Sequence, residues 1–143
     1  MNPDESTPTF LEDVKINVKI KLSALWVAVL GLYIYADFFY LFLPGEMENM
    51  MTGYMGPFPA TQMALLSAMV LMMIPILMIF MSLVLPAKAN RWTNIIVGTL
   101  YVVVGIGTMM GESWAFYILG HSVVIMLLLL IVGYAWKWPK QEA

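Results

Sequence analysis

Four long apolar runs, roughly Leu22–Leu43, Ala60–Leu85, Thr93–Met110 and Trp114–Trp136, fill most of the chain and are parted by polar or turn-forming stretches. Each approaches or exceeds the about 18–20 residues that a helix needs to cross about 30 Å of hydrocarbon. The pattern predicts an all-α fold, a four-helix transmembrane bundle. The connections Pro86–Arg91 and Gly111–Ser113 are short, so consecutive spans should be antiparallel neighbours in up-down-up-down order. The longest connection, PGEMENMMTGYMGPFP, carries three Pro and three Gly and reads as a loop. Pro75 stands inside the second run and is expected to kink it, because proline has no N–H and crowds the preceding turn.

Residues 1–8 are polar with two prolines and read as a disordered tail; residues 9–139 form a single membrane domain, followed by a short tail at 140–143. Thr9 and Glu12 have the spacing of a capping box. From Val14 to Lys21 apolar and polar residues alternate as in a strand. A lone strand beside a membrane would leave its edges unpaired, so an amphipathic helix lying along the interface and running into the first span is expected instead. The start MNPDESTP is acidic and the first apolar run begins only at Leu22, unlike a cleavable signal peptide, so the segment is expected to be retained.

All seven Lys and Arg residues fall in three places: Lys15, Lys19 and Lys21 before the first run, Lys88 and Arg91 between the second and third, and Lys137 and Lys140 after the fourth. The other two gaps hold Glu46, Glu48 and Glu112 and no base. This is the positive-inside pattern for a multi-pass protein of the cell membrane with both termini in the cytoplasm. Trp26, Trp92, Trp136 and Trp138 should mark the inner boundary, and Tyr40, Tyr54 and Trp114 the outer one. Only 11% of residues are charged, against roughly 25% in soluble domains, which leaves no room for a separate soluble catalytic domain. With no Cys, disulfides, thiolate metal sites and cysteine nucleophiles are excluded. No basic surface suits nucleic acid.

Small residues suggest where helices meet. Ala60, Ala64 and Ala68 recur every four positions, Gly98 and Gly105 lie seven apart, and Gly107 and Gly111 follow. Such spacings allow close approach in lipid, either within the bundle or at a seam with a second copy or another membrane protein.

Two strongly ionisable residues lie inside the runs, Asp37 in the first and His121 in the fourth. At about 1.5 Å per residue, each is about 9–10 Å below the outer end of its run. In an up-down bundle the first and fourth helices are neighbours, so an acid and an imidazole arrive at one depth. Tyr33, Asp37 and Tyr40 share a face, as do Tyr117 and His121, while Tyr101, Gly105, Thr108 and Glu112 form a third polar stripe. The expectation is an outward-facing polar pocket above an apolar plug of Leu, Ile, Val and Met. Asp37 in a span is costly enough to need a partner or a task, and His121 titrates near neutral pH. A ligand-binding or pH-responsive site and a purely structural tie between helices both fit.

Fourteen methionines are the second anomaly, with Met47, Met50, Met51 and Met55 clustered in the long outer loop. Thioethers suit Cu(I), but methionine also serves as adaptable apolar filler, and the many mid-span methionines fit only the latter. No phosphate-binding glycine loop, H-E-x-x-H or Ser–His–Asp arrangement is present. Ser122 adjoins His121, but successive helix residues point about 100° apart and do not make a nucleophile–base pair. No catalytic residue, cofactor or conventional metal site is predicted.

Several stretches carry a resemblance: Leu25-Trp26, Tyr33-Ile34-Tyr35-Ala36-Asp37, Ile74-Pro75, Leu85-Pro86, Ala89-Asn90-Arg91-Trp92-Thr93-Asn94-Ile95-Ile96 and Tyr134-Ala135-Trp136-Lys137-Trp138. Over roughly Leu11 to Trp138 the chain resembles an uncharacterised family of small bacterial four-span membrane proteins, the domain of unknown function 6326 family. The resemblance implies the four-helix fold in an inner membrane and no assigned activity. It also implies acids just before the Ile-Pro pair and midway along the last span, where this chain has Met73 and Val124. Arg91, with Asn90 and Trp92, is a candidate to cap the carbonyl end of the second span or to bind lipid phosphate; as a plain topology determinant it fits the charge pattern equally. The reading is a multi-pass membrane protein with a small-ligand pocket or pH sensor. The alternatives are a partner-binding subunit associating through small-residue faces, and Cu(I) handling.

Overall fold

The computed structural model describes residues 13–140. Four helices are long and apolar enough to cross a membrane: α1 (Val18–Tyr40), α3 (Gln62–Val84), α4 (Ala87–Met109) and α5 (Ala115–Trp136). The long connection is not a plain loop. It contains a short helix, α2 (Glu46–Met51), and an antiparallel hairpin of β1 (Tyr54–Met55) and β2 (Phe58–Pro59), paired Tyr54 to Pro59 and Met55 to Phe58. Gly56 opens the hairpin turn in the left-handed region at φ +57°, a conformation open to glycine and costly for other residues. This end of the bundle is called the hairpin end, and the end carrying the Lys and Arg residues the basic end.

Two helix starts differ from the sequence reading. Among the described residues no interfacial helix precedes α1: residues 13–17 are not helical, and Lys19 and Lys21 belong to the first turns of α1 itself. Asn17 is the reason, since its side chain accepts the Lys19 N–H at 2.9 Å and so starts the helix there. The Thr9–Glu12 capping box and the 1–8 tail lie outside the described residues. The third span begins at Ala87, six residues before the apolar run. Pro86 occupies the cap with extended backbone, and Ala87-Lys88-Ala89 are good helix formers. Asn90, Arg91 and Trp92 therefore sit in the first turns of α4 and not in a loop.

α1 lies between α3 and α5, and α5 between α1 and α4, whereas α3 and α4, although consecutive, pack over only a short length. The buried positions step by three and four: Leu22, Trp26, Val29, Tyr33 and Ala36 on α1; Asn90, Asn94, Gly98, Tyr101 and Gly105 on α4; His121, Val124, Leu128, Ile131 and Ala135 on α5. This is the seam spacing of left-handed helix bundles. Gly98 and Gly105 let α4 approach α5: an added Cβ would stand 2.9 Å from the Val132 Cγ2 and 3.3 Å from the Ile125 Cγ1, respectively.

The basic half of the core is not an apolar plug. Trp26, expected at the membrane boundary, is fully buried and donates its indole N–H to Asn94 Oδ1 at 2.8 Å. Ser82 Oγ donates to the same oxygen at 3.3 Å, Asn94 Nδ2 donates to Asn90 Oδ1 at 2.7 Å, and Asn90 Nδ2 donates to the Ser82 carbonyl at 2.6 Å. One network thus joins α1, α3 and α4, and it is closed because each buried amide both donates and accepts.

α3 buries only Pro75, Met78 and Ser82, and it is held largely by side chains donating to its carbonyls. Ser23 Oγ reaches the Ile79 carbonyl at 2.8 Å, and Lys19 Nζ reaches those of Leu85 at 2.7 Å and Leu83 at 3.3 Å. Lys19, from a neighbouring helix, thus takes the capping role expected of Arg91. Tyr101 Oη donates to the Leu71 carbonyl. That carbonyl lies four residues before Pro75, so the missing proline N–H leaves it without its helical partner, and α4 supplies the replacement.

Substituting Tyr101→Phe is expected to cost about 1–3 kcal/mol, the price of an orphaned buried acceptor. In a Pro75→Ala background the helix supplies its own N–H, and the cost should fall below about 0.5 kcal/mol. Reversible unfolding of the four variants in mixed micelles measures this coupling.

Candidate functional site

At the hairpin end the bundle opens into a cavity of about 810 Å³. Asp37 and Tyr40 of α1, Val104, Gly107 and Thr108 of α4, and Tyr117 of α5 form its walls. Glu46 and Met50 of α2 and the hairpin residues Met55, Gly56, Pro57 and Phe58 close it from the side of the long connection, and Glu112 completes the rim. Asn49 Nδ2 donates to the Gly56 carbonyl at 3.0 Å, which fastens α2 to the hairpin. Glu112 Oε1 accepts the N–H groups of Ser113 and Trp114 at 2.8 and 3.0 Å. These donors belong to the turn just before α5, so Glu112 braces that turn while remaining part of the cavity rim.

Of the residues expected in a pocket, Asp37, Tyr40, Thr108, Glu112 and Tyr117 line the cavity together, whereas Tyr33, Tyr101 and His121 stand behind its wall. His121 is buried and its ring stacks on that of Tyr117, with centroids 4.0 Å apart and planes 25° apart. Its Nδ1 lies 3.1 Å from the Tyr117 carbonyl. A carbonyl only accepts, so Nδ1 carries the proton in this contact. Tyr33 packs edge-on to the imidazole at 5.6 Å, with its hydroxyl buried and unpartnered. His121 forms no ion pair with Asp37; it fixes the ring of Tyr117, which in turn meets Tyr40 edge-on at 5.7 Å. Ser122 Oγ turns back to the Ile118 carbonyl at 2.7 Å, away from any role beside His121.

Glu46, Met50 and the hairpin were absent from the sequence reading of the pocket because a Gly- and Pro-rich stretch gives no sign that it folds back over the helices. The outer-loop methionines divide: Met50 and Met55 line the cavity, and Met47 and Met51 do not. At the basic end, Asn90 is wholly interior, Trp92 is exposed, and the Arg91 guanidinium lies 5.8 and 6.0 Å from the ring centres of Trp92 and Trp136. Asn94, the hub of the buried network, entered the sequence reading only within the family resemblance, because it stands at the very start of an apolar run, where a polar residue gives no sign of burial. Of the positions where the family resemblance implied acids, Met73 is exposed on α3 and Val124 is buried on α5.

Because the chain has no cysteine, accessibility can be read from single introduced thiols. Thr108→Cys should react with a small cationic methanethiosulfonate in the purified protein, and Val124→Cys, 1% exposed, should react at least 100-fold more slowly, about the ratio expected for a site that opens only with 2.7 kcal/mol of local unfolding. Mass spectrometry of quenched time points gives the ratio.

No curated protein and no solved structure matches this chain. A family model matches residues 11–143, nearly the whole sequence and all four spanning helices, and the chain therefore belongs to the family of unknown function DUF6326.

Proposed function

We infer that this membrane protein binds a small ligand in the cavity at its hairpin end, with Asp37 as the anchoring group. The observation that carries the reading is Asp37 itself. An acid within a membrane-spanning helix lines a ligand-sized cavity, with no base paired to it and with Tyr40, Tyr117 and Thr108 around it. A carboxylate in such a position is expensive unless a partner or a ligand meets it, and pockets of this size with a few polar groups on apolar walls are the usual form of small-molecule sites. His121 and Tyr33 take part as a support for the Tyr117 ring. Of the small residues behind the association reading, Gly98 and Gly105 meet α5 within the bundle, while Gly107 and Gly111 have open space around them and border the cavity. A Cu(I) site is less favoured, because only Met50 and Met55 of the outer-loop cluster face the cavity.

The charge pattern orients the cavity outward, with both termini on the cytoplasmic side of the cell membrane. In intact cells an impermeant maleimide should label Ser113→Cys, while Lys137→Cys should be labelled only after permeabilisation. The reverse pattern would overturn the orientation.

Native mass spectrometry of protein extracted gently from its membrane tests the binding reading. A small molecule should remain bound to the wild type, and Asp37→Asn should lower its occupancy to the degree set by a Kd at least tenfold weaker, about 1.4 kcal/mol. Equal occupancy in both proteins would refute Asp37 as the anchor.

A further inference from the structure

We propose that the ligand of this cavity is a hydrophobic organic cation, its positive centre beside Asp37 and its apolar part laid along α3. This rests on the reading that the cavity is a binding site and adds the chemical class of what it takes. Four observations lead there.

The first is charge. Of Asp, Glu, His, Lys and Arg, the residues lining the cavity are Asp37, Glu46 and Glu112, all of them carboxylates. Lys15 stands before α1 and Lys19 and Lys21 in its first turns, Lys88 and Arg91 in the first turns of α4, and Lys137 and Lys140 after α5, all at the far end of the bundle. With no base inside it, the cavity favours a cation and rejects an anion.

The second is geometry. Among the described residues no three His, Cys, Asp or Glu side chains converge closely enough to hold a metal ion. Asp37, Glu46 and Glu112 come from α1, α2 and the turn before α5, and they surround a volume of about 810 Å³ instead of a point. The complement of dispersed negative charge around a large space is a bulky, diffuse cation. The third is the aromatic content of the wall: Tyr40, Tyr117 and Phe58 line the same space, and aromatic rings attract organic cations best where water is displaced.

The fourth is an apolar extension. Met55 and Phe58 also line a second hollow of about 470 Å³ that runs along α3 past Ala64, Ser67, Ala68 and Leu71. These positions continue the α3 face that buries Pro75, Met78 and Ser82 toward the basic end. Toward the hairpin end that face is unfilled, because α3 and α4 are joined at Ser82–Asn90 and Leu71–Tyr101 and by no hydrogen bond beyond Leu71. Small side chains there leave a groove that adjoins the cavity, the two sharing Met55 and Phe58 in their walls. One molecule with a cationic head and an apolar body fills both, whereas a small inorganic cation or a polar solute fills only the first.

The test uses tetraphenylphosphonium and tetraphenylborate, which share size and apolar surface and differ in the sign of charge, with tetramethylammonium as charge without apolar bulk. Binding is measured by equilibrium dialysis against the full-length protein in lipid nanodiscs, with empty nanodiscs subtracted. Tetraphenylphosphonium should bind saturably and at least tenfold more tightly than either of the other two. Asp37→Asn should weaken it tenfold or more, and Ala68→Phe, which fills the groove and leaves the acids in place, should weaken tetraphenylphosphonium but not tetramethylammonium.

Saturable tetraphenylborate binding of equal strength, or no saturable tetraphenylphosphonium binding, overturns the proposal without recourse to any variant. If the cation fails while a natively retained molecule is still lost in Asp37→Asn, the cavity binds something of another class and only this inference falls. If neither the cation nor any retained molecule responds to Asp37→Asn, the binding reading falls with it.

Discussion

A carbonyl freed inside a membrane has no water to turn to, and the arrangement of this bundle follows from how one helix answers that constraint. Pro75 takes a donor from the middle of α3, and Tyr101 of α4 gives one back at the Leu71 carbonyl. The same device recurs toward the basic end, where Ser23, Asn90 and Lys19 donate to the Ile79, Ser82, Leu83 and Leu85 carbonyls. α3 is therefore attached through its backbone acceptors more than through its side chains. That explains how a helix burying only three residues keeps a defined place beside α1 and α4.

The attachments are unevenly spread, and the cavity is the result. Every side-chain donor that reaches α3 from α1 or α4 does so at or below Leu71 on the path to the basic end. Above that level α3 carries Ala64, Ser67 and Ala68, side chains too small to fill the space toward α4. α2 and the hairpin cover this gap, and Asp37 reaches it from α1. Tight closure at one end and a covered opening at the other are two sides of a single distribution of hydrogen bonds. His121, stacked on Tyr117, stiffens the wall at the boundary between them.

The number of spanning helices, their antiparallel order and the clustering of Asp37, Tyr40, Thr108, Glu112 and Tyr117 at one end were legible in the sequence, because run length and three-to-four spacing survive folding unchanged. Which face of each helix turns inward was not. In lipid the outward face is as apolar as the core, so Leu and Ile give no contrast, and on α4 the inward face is the more polar one, with Asn90, Asn94 and two glycines. Helix starts misled for a related reason: apolar runs begin where apolar side chains begin, whereas α1 and α4 begin at Asn17 and Pro86, where the backbone is capped. The roles of Tyr101 and Lys19 were hidden because each depends on a carbonyl more than 29 positions away along the chain.

Leu85 and Pro86 alone separate α3 from α4, and that brevity sets the register between the two helices. Two residues leave the end of α3 and the start of α4 little room to slide past each other, so Asn90 and Asn94, in the opening turns of α4, come level with Ser82 in the last turn of α3. A longer connection would release that alignment, and with it the hydrogen bonds between Ser82 and the two asparagines.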